Sequence, residues 1–269
     1  MANSTFTLNG RILEAITVDF WGTIAFDNTL MERRKLRAQY MLEWMNSLGS
    51  EVTFDQLVEE LQQYSELWHQ DWKRKRITHD AEHIVRFIVE KFSVNATDEQ
   101  IRELATKLDM ALKEVLPEMM QDADVVLRDI AARGIKLAII SDTAISGPDS
   151  LDWLLGEWGL LDLFPVRVYS ENTGVAKPHP KAYLTASQEL GVPQHRLMHI
   201  GDLESTDIIG AKSIGIAAMR FDGLKPETEC KTCSMADKVV NSWKEVELIL
   251  FGSKESSSDP FLKVETSAS

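Results

Sequence analysis

An apolar run ends at Asp19 in "ITVDFWGT", and Trp21, Gly22 and Thr23 follow almost at once. Three other polar groups stand in the same kind of place. Ser141 follows "KLAII", Gly201–Asp202 follows "LMHI", and Lys177 lies in "GVAKPHP" after "VRVYS". Asp207 comes shortly after Asp202. Residues of these types could handle a small anionic substrate, because an anion approaching a carboxylate needs positive charge beside it. Like charges crowding Asp19 would raise its pKa unless a cation stood among them.

The elements that must position these groups alternate along the chain. Ile12–Phe20, Lys136–Ile140, Val166–Tyr169, Leu197–Ile200 and Ile214–Met219 read as strands. Asp124–Arg133, Lys181–Leu190 and Asp207–Ser213 read as helices. Such alternation predicts an α/β fold, a Rossmann-like parallel sheet with helices on both faces. Ligands of open parallel sheets bind beyond the carboxyl ends of the strands, so positions 19, 141, 177 and 202 should meet on one edge.

Residues 26–119 read differently, with amphipathic helices and no convincing strand. Leu36, Tyr40, Met41, Trp44, Met45 and Leu48 form an apolar stripe at helical spacing. Thr53 with Gln56, and Thr97 with Gln100, each fit a capping box. The expected organisation is an α/β core over 1–25 and 120–252, a helical domain over 26–119, and a polar, Ser-rich, disordered tail over 253–269. "ADKVVNSWKEVELIL" should give a short strand and then a helix that completes the core.

The chain has 269 residues, 44% hydrophobic and 26% charged, which suits a globular protein with a sizeable core. A net charge of −13 argues against nucleic acid as a partner. No apolar run approaches the length of a membrane span, and the N-terminus lacks a basic segment leading into an apolar signal core. A cytoplasmic enzyme of a small anionic substrate, with no membrane partner, is the expectation. Nothing in the sequence sets an oligomeric state. Cys230 and Cys233 form C-x-x-C, two ligands short of a zinc site, and are expected to be ordinary thiols.

The four motifs, in order and each after a strand, resemble those of the haloacid dehalogenase-like hydrolase superfamily: "VDFWGT", "IISDT", "AKPHP" and "GDLESTD". The helical insert resembles the family's cap placed after the first motif. The resemblance implies that Asp19 is the nucleophile, forming an aspartyl intermediate. It implies that Asp19, Asp202 and the backbone carbonyl of Trp21 hold Mg²⁺. Ser141 would bond a phosphoryl oxygen, helped by the backbone of Asp142 or Thr143, and Lys177 would balance developing charge. Thr23 belongs to the first motif, and Asp207 would order the lysine or a metal-bound water.

Trp21 departs from the pattern. In the family's phosphatases this position is usually a second aspartate that protonates the leaving group and then activates water. An indole N–H does not give up its proton near neutral pH. The loss is worth roughly 10²- to 10⁴-fold in rate. Three readings follow: a substrate whose leaving group needs no proton, an acid supplied by the cap, or a phosphate-binding protein without turnover. The first includes carbon–halogen hydrolysis, since the family's haloacid dehalogenases carry an aromatic residue here, although they work without metal and lack the metal-binding acid of the fourth motif. The second turns on "WHQDWKRKRITHDAEH", where His69, His79, Glu82 and His83 could supply an acid and Lys73 to Arg76 could grip an anion. Glu32 to Arg37 could also face the cleft. Trp68 and Trp72 could stack on a base or sugar, with packing inside the cap the expected role.

Overall fold

The computed structural model describes residues 5–224 and 233–252. Its first elements are a hairpin, β1 (Phe6–Leu8) and β2 (Arg11–Leu13), turned by Asn9 and Gly10 at φ 50° and 78°. Asn-Gly with both residues at positive φ is the turn that matches strand twist. The hairpin takes the backbone bonds of Arg11–Leu13, so the single strand expected over Ile12–Phe20 is divided. Only β3 (Ala15–Val18) joins the main sheet.

After β3 come the two-residue strand β4 (Ala25–Phe26), then α1 (Leu30–Ser47), α2 (Phe54–Gln70), α3 (Ala81–Lys91) and α4 (Asp98–Met110). The second two-residue strand, β5 (Glu118–Met119), pairs antiparallel with β4. Thr53 with Gln56 and Thr97 with Gln100 form the two capping boxes. Met41, Met45, Leu57, Val85, Ile88 and Leu108 bury one face of each helix against the others, giving the insert a core of its own. A π-helical turn, Asp71–Lys75, extends α2.

The chain then runs α5 (Ala123–Ala132), β6 (Lys136–Ser141), α6 (Pro148–Glu157), β7 (Val166–Tyr169), α7 (Ser170–Thr173), α8 (Pro180–Leu190) and β8 (Leu197–Gly201). It continues with α9 (Ile209–Ser213), β9 (Ala217–Phe221), β10 (Lys238–Val240) and α10 (Trp243–Phe251). The last strand expected over Ile214–Met219 begins later, because Gly215, at φ 82°, turns the chain out of α9 first. The expected helix from Asp207 opens as a π-helical turn, Glu204–Ile208, before α9.

The main sheet is parallel throughout, in the order β10-β9-β8-β3-β6-β7. Alternate residues of each strand bury on opposite faces. Ile16, Val18, Leu137, Ile139 and Met198 pack towards α5, α6 and α10. Ala15, Ala138, Ile140 and Leu197 pack towards α8 and α9. Burial on both sides is why these strands read as near-continuous apolar runs.

Among the described residues no helix is long and apolar enough to cross a membrane. Cys233 is disulfide-bonded, which corrects the expectation of an ordinary thiol. Cys230 and the tail over 253–269 lie outside the described residues.

Candidate active site

Asp19 follows β3 at the centre of the sheet, between β6 and β8, and its N–H donates to the carbonyl of Ile200 at 2.8 Å. The turn after it is fixed on several sides. Gly22, at φ 78°, donates its N–H to the Ala25 carbonyl at 2.8 Å. Trp243 of α10 donates its indole N–H to the carbonyl of Thr23 at 2.9 Å. Thr23 donates its hydroxyl to Asp19 Oδ2 at 3.3 Å. A Cβ on Gly22 would stand 2.8 Å from Asp202 Oδ2, so only glycine admits both this turn and the second carboxylate.

Lys177 closes the arrangement from the loop before α8. Its Nζ donates to Asp19 Oδ1 at 2.5 Å and to Asp207 Oδ1 at 2.7 Å, with all three side chains buried. Asp207 is held from below. His199 Nε2 lies 3.0 Å from its Oδ1, while Leu203 N–H and Thr206 Oγ1 donate to Oδ2 at 3.0 and 3.3 Å. Thr17 Oγ1 lies 2.9 Å from His199 Nδ1, and the tautomer that fits has the proton on Nε2. A Cβ on Gly201 would collide with Asp207, so the end of β8 must be bare for the carboxylate to fold back over it.

One oxygen each of Asp19, Asp202 and Asp207 can be chosen so that all lie within 4.8 Å of one another. The donor set is oxygen only, which suits a hard divalent cation. Asp207 itself accepts bonds from four groups, which fix it in place beneath the lysine. Burial raises the Asp19 carboxyl well above the usual carboxylate range; Lys177 opposes this, while Asp207 and Asp202 add to it. Burial works against the charge on Lys177, but Asp19, Asp207 and Asp142 hold its pKa well above the ordinary lysine value. Burial alone would raise Asp207 too, yet Lys177 and His199 bring it well below the carboxylate range. Burial lowers His199, which stays neutral beneath the site.

Ser141 ends β6, on the strand next to β3, and is buried. The next residues are tied to other loops. Asp142 Oδ1 accepts the Lys177 N–H at 2.9 Å, and Thr143 N–H donates to Ser170 Oγ at 2.8 Å. Burial raises the Asp142 carboxyl, against the pull of Lys177 and Trp72.

Trp21 lays its ring against Phe20 in an edge contact at 5.0 Å, with the Arg33 guanidinium 5.9 Å from its centroid. Arg33 is buried and paired with Asp27, and it donates to the carbonyl of Val115 at 2.8 Å. Arg37 donates to the Leu108 carbonyl and to Ser146 Oγ, both at 2.8 Å. These two arginines therefore brace the junction of insert and core. The insert's candidate acids have partners of their own: His79 bonds Tyr64 and Asp71, His83 bonds Asp80, Glu82 bonds Arg86, and His69 bonds the Ser65 carbonyl. Trp68 packs on the insert's core and stacks on Trp72 at 5.7 Å. A separate cleft of about 440 Å³ between insert and core is lined by Asp80, Glu82, Asp109, Asp149 and Glu171.

Thr17, His199, Ser170 and Trp243 were not anticipated from sequence. Only His199 carried a signal, as a titratable residue in the apolar strand just before "GD".

Comparison with known proteins places these motifs in context. A family model described as haloacid dehalogenase-like hydrolase matches residues 13–215. The glyceraldehyde 3-phosphate phosphatase of Methanopyrus kandleri is 34% identical over 109 residues, 40% of this chain and 42% of that protein. The (S)-2-haloacid dehalogenase of Xanthobacter autotrophicus is 32% identical over 106 residues, 39% of this chain and 40% of that protein. The chain thus spans less than half the length of the curated relatives it matches. Among solved structures, a HAD phosphatase from Thermococcus onnurineus superposes with a TM-score of 0.63 at 25% identity, covering 88% of this chain and 98% of that one.

Proposed function

Because this chain belongs to the haloacid dehalogenase-like hydrolase family, we propose that it is a Mg²⁺-dependent phosphatase of a small phosphorylated metabolite, working through an aspartyl phosphate on Asp19. The observation that carries the reading is the cluster of Asp19, Asp202 and Asp207 around a single lysine. Two buried carboxylates, a third half-buried one and a single ammonium leave negative charge in excess, and a phosphate ester would add more. Asp19, Asp202 and the Trp21 carbonyl would hold Mg²⁺, which supplies the missing positive charge.

The protein's own groups do the rest. An Asp19 oxygen attacks phosphorus, the bond to the leaving oxygen breaks, and water later cleaves the acyl phosphate to release inorganic phosphate. Lys177 balances charge on the phosphoryl oxygens, and Ser141 with the following backbone N–H groups donates to them. Asp207 and the neutral His199 keep the lysine aimed. The helical insert is the cap that closes over this edge. Trp21 protonates nothing, so the reading selects substrates whose leaving group departs unprotonated, such as acyl phosphates.

Trp21 also favours a second reading, carbon–halogen hydrolysis, in which Asp19 displaces halide. One panel separates them: phosphate esters, acyl phosphates and 2-haloacids, each with Mg²⁺ and with EDTA. Phosphate released only with Mg²⁺ supports the proposal. Halide released in EDTA replaces it with the dehalogenase reading. Anion binding with neither product leaves a binding protein.

A further inference from the structure

The segment Asp71–Thr78 of the insert lies across the loops that carry Asp142 and Lys177 and the first residue of α7, Ser170. Trp72 donates its indole N–H to Asp142 Oδ2 at 2.8 Å. The Arg76 carbonyl accepts the N–H of Ala176 at 2.7 Å. Thr78 Oγ1 lies 2.7 Å from Ser170 Oγ, the oxygen that also accepts the Thr143 N–H. Asp142 is the junction of these contacts. One of its oxygens is held from the insert, and the other accepts the backbone N–H of Lys177 at 2.9 Å. The indole is itself aimed by packing, since it stacks on Trp68 with 14° between the ring planes.

We propose that Trp72 is a positioning residue: through the Asp142 carboxylate it couples the seating of the insert to the placement of Lys177. The inference deepens the hydrolase reading by naming how closure is registered at the lysine, and it rests on that reading only for its kinetic test. The physical argument is one of shared acceptors. Trp72 can reach Asp142 only while the insert is seated. Without that donor, Asp142 Oδ2 loses a charge-assisted bond in a largely desolvated place and turns towards another donor. The acceptor of the Lys177 N–H turns with it. The Lys177 ammonium must lie between Asp19 and Asp207, and a small backbone displacement there moves it out of reach of a reacting group.

Trp72→Phe tests this, because it keeps the stacked ring and removes only the donor. Hydrogen exchange on the full chain, resolved to single amides, reads the Lys177 N–H directly. About tenfold faster exchange is expected at Lys177, the effect of losing one ordinary hydrogen bond, with no change at Ala138–Ile140 within β6. Asp142→Asn should speed the same amide, and combining it with Trp72→Phe should add little if both act through one carboxylate. Unchanged exchange at Lys177 in Trp72→Phe overturns the proposal. So does full additivity of the two variants.

On whichever substrate the panel identifies, kcat should fall about tenfold in Trp72→Phe while KM holds. A raised KM with unchanged kcat would make Trp72 a substrate contact and overturn the positioning role. Faster exchange at Lys177 in a protein that releases no phosphate would sink the phosphatase reading and leave the coupling standing.

Discussion

Lys177 Nζ stands 2.5 Å from Asp19 Oδ1, although 158 residues separate them in the chain. The pair joins the end of β3 to the loop before α8, and Asp207 at 2.7 Å makes the lysine a bridge between two carboxylates. The electrostatics of the site follow from this sharing: one ammonium serves two buried acids, with Asp202 beside them.

Asp19→Asn should therefore raise thermal stability in EDTA. The sign follows from the direction of the shift. Burial raises the Asp19 carboxyl above its unfolded value, so the unfolded chain loses this proton first. The contribution of the group is greatest below the unfolded value of about 4 and declines as pH rises towards the folded one. At neutral pH the charge on Asp19 is thus a cost that Asn removes. Each 1 kcal/mol gained moves Tm by about 2–4 °C for a protein of this size class. Calorimetry at pH 7 checks it, and the gain should shrink when Mg²⁺ is added. A lower Tm in EDTA would show that the ion pair with Lys177 outweighs the crowding.

Trp21→Asp should restore a proton donor at the leaving group. Activity on alkyl phosphates, whose alkoxide needs the proton, should rise relative to acyl phosphates by about tenfold or more, towards the 10²–10⁴ typical of general acid–base catalysis. The ratio of kcat/KM for the two substrates is the measurement, with Trp21→Phe as the control that leaves it unchanged. Equal effects on both substrates would mean that position 21 only shapes the pocket.

Gly22→Ala should raise the Mg²⁺ concentration needed for half-maximal activity by about tenfold or more, one misplaced ligand being worth that order in metal affinity. The new Cβ meets Asp202 Oδ2 at 2.8 Å, and φ of 78° strains any L side chain there. A Mg²⁺ titration of activity, paired with the Mg²⁺-induced rise in Tm, distinguishes a moved ligand from a merely destabilised fold. An unchanged Mg²⁺ requirement would remove Asp202 from the metal site.

Alkaline pH should loosen the protein partly through Tyr64. Burial raises its phenol, and Asp80 and Asp71 add to the effect. An unfolded tyrosine ionises near pH 10, so the stability this group contributes is complete below about 10 and is lost as pH climbs beyond it. Urea midpoints at pH 9 and 11 should fall further for the wild type than for Tyr64→Phe. Equal falls would place the alkaline sensitivity elsewhere.

Part of the candidate site was legible because its residues stand at the ends of strands. Asp19, Ser141 and Asp202 sit where apolar runs stop, and a parallel sheet brings such stops to one edge whatever their separation in sequence. Capping boxes at Thr53 and Thr97 were legible too, since their signal is local and four residues long. What pattern could not supply was orientation. Arg33 and Arg37 read as residues that could face the cleft, yet their partners, Asp27, Val115, Leu108 and Ser146, are scattered through the chain. The Trp243 bond to Thr23 spans 220 residues, and no local spacing announces it. Strand edges slipped for a related reason. The hairpin bonds of Arg11–Leu13 and the turn at Gly215 outweighed hydrophobicity that continued past them.

The pairing of β4 with β5 carries a consequence for how this architecture can change. Phe26 faces Glu118, and Ala25 faces Met119, so the chain leaves for the insert and returns from it through adjacent, hydrogen-bonded positions. To the six-stranded sheet the whole excursion is equivalent to the tip of a hairpin, and its length is nearly irrelevant to the strands beneath. Joining Phe26 to Glu118 through a two-residue Asn-Gly turn should leave every sheet pairing in place, which circular dichroism and cooperative urea unfolding of the shortened chain would show. The insert is in this sense an attachment hung from one seam. A replacement could be fitted there without editing the sheet, but it would have to supply again the donor that Trp72 gives to Asp142.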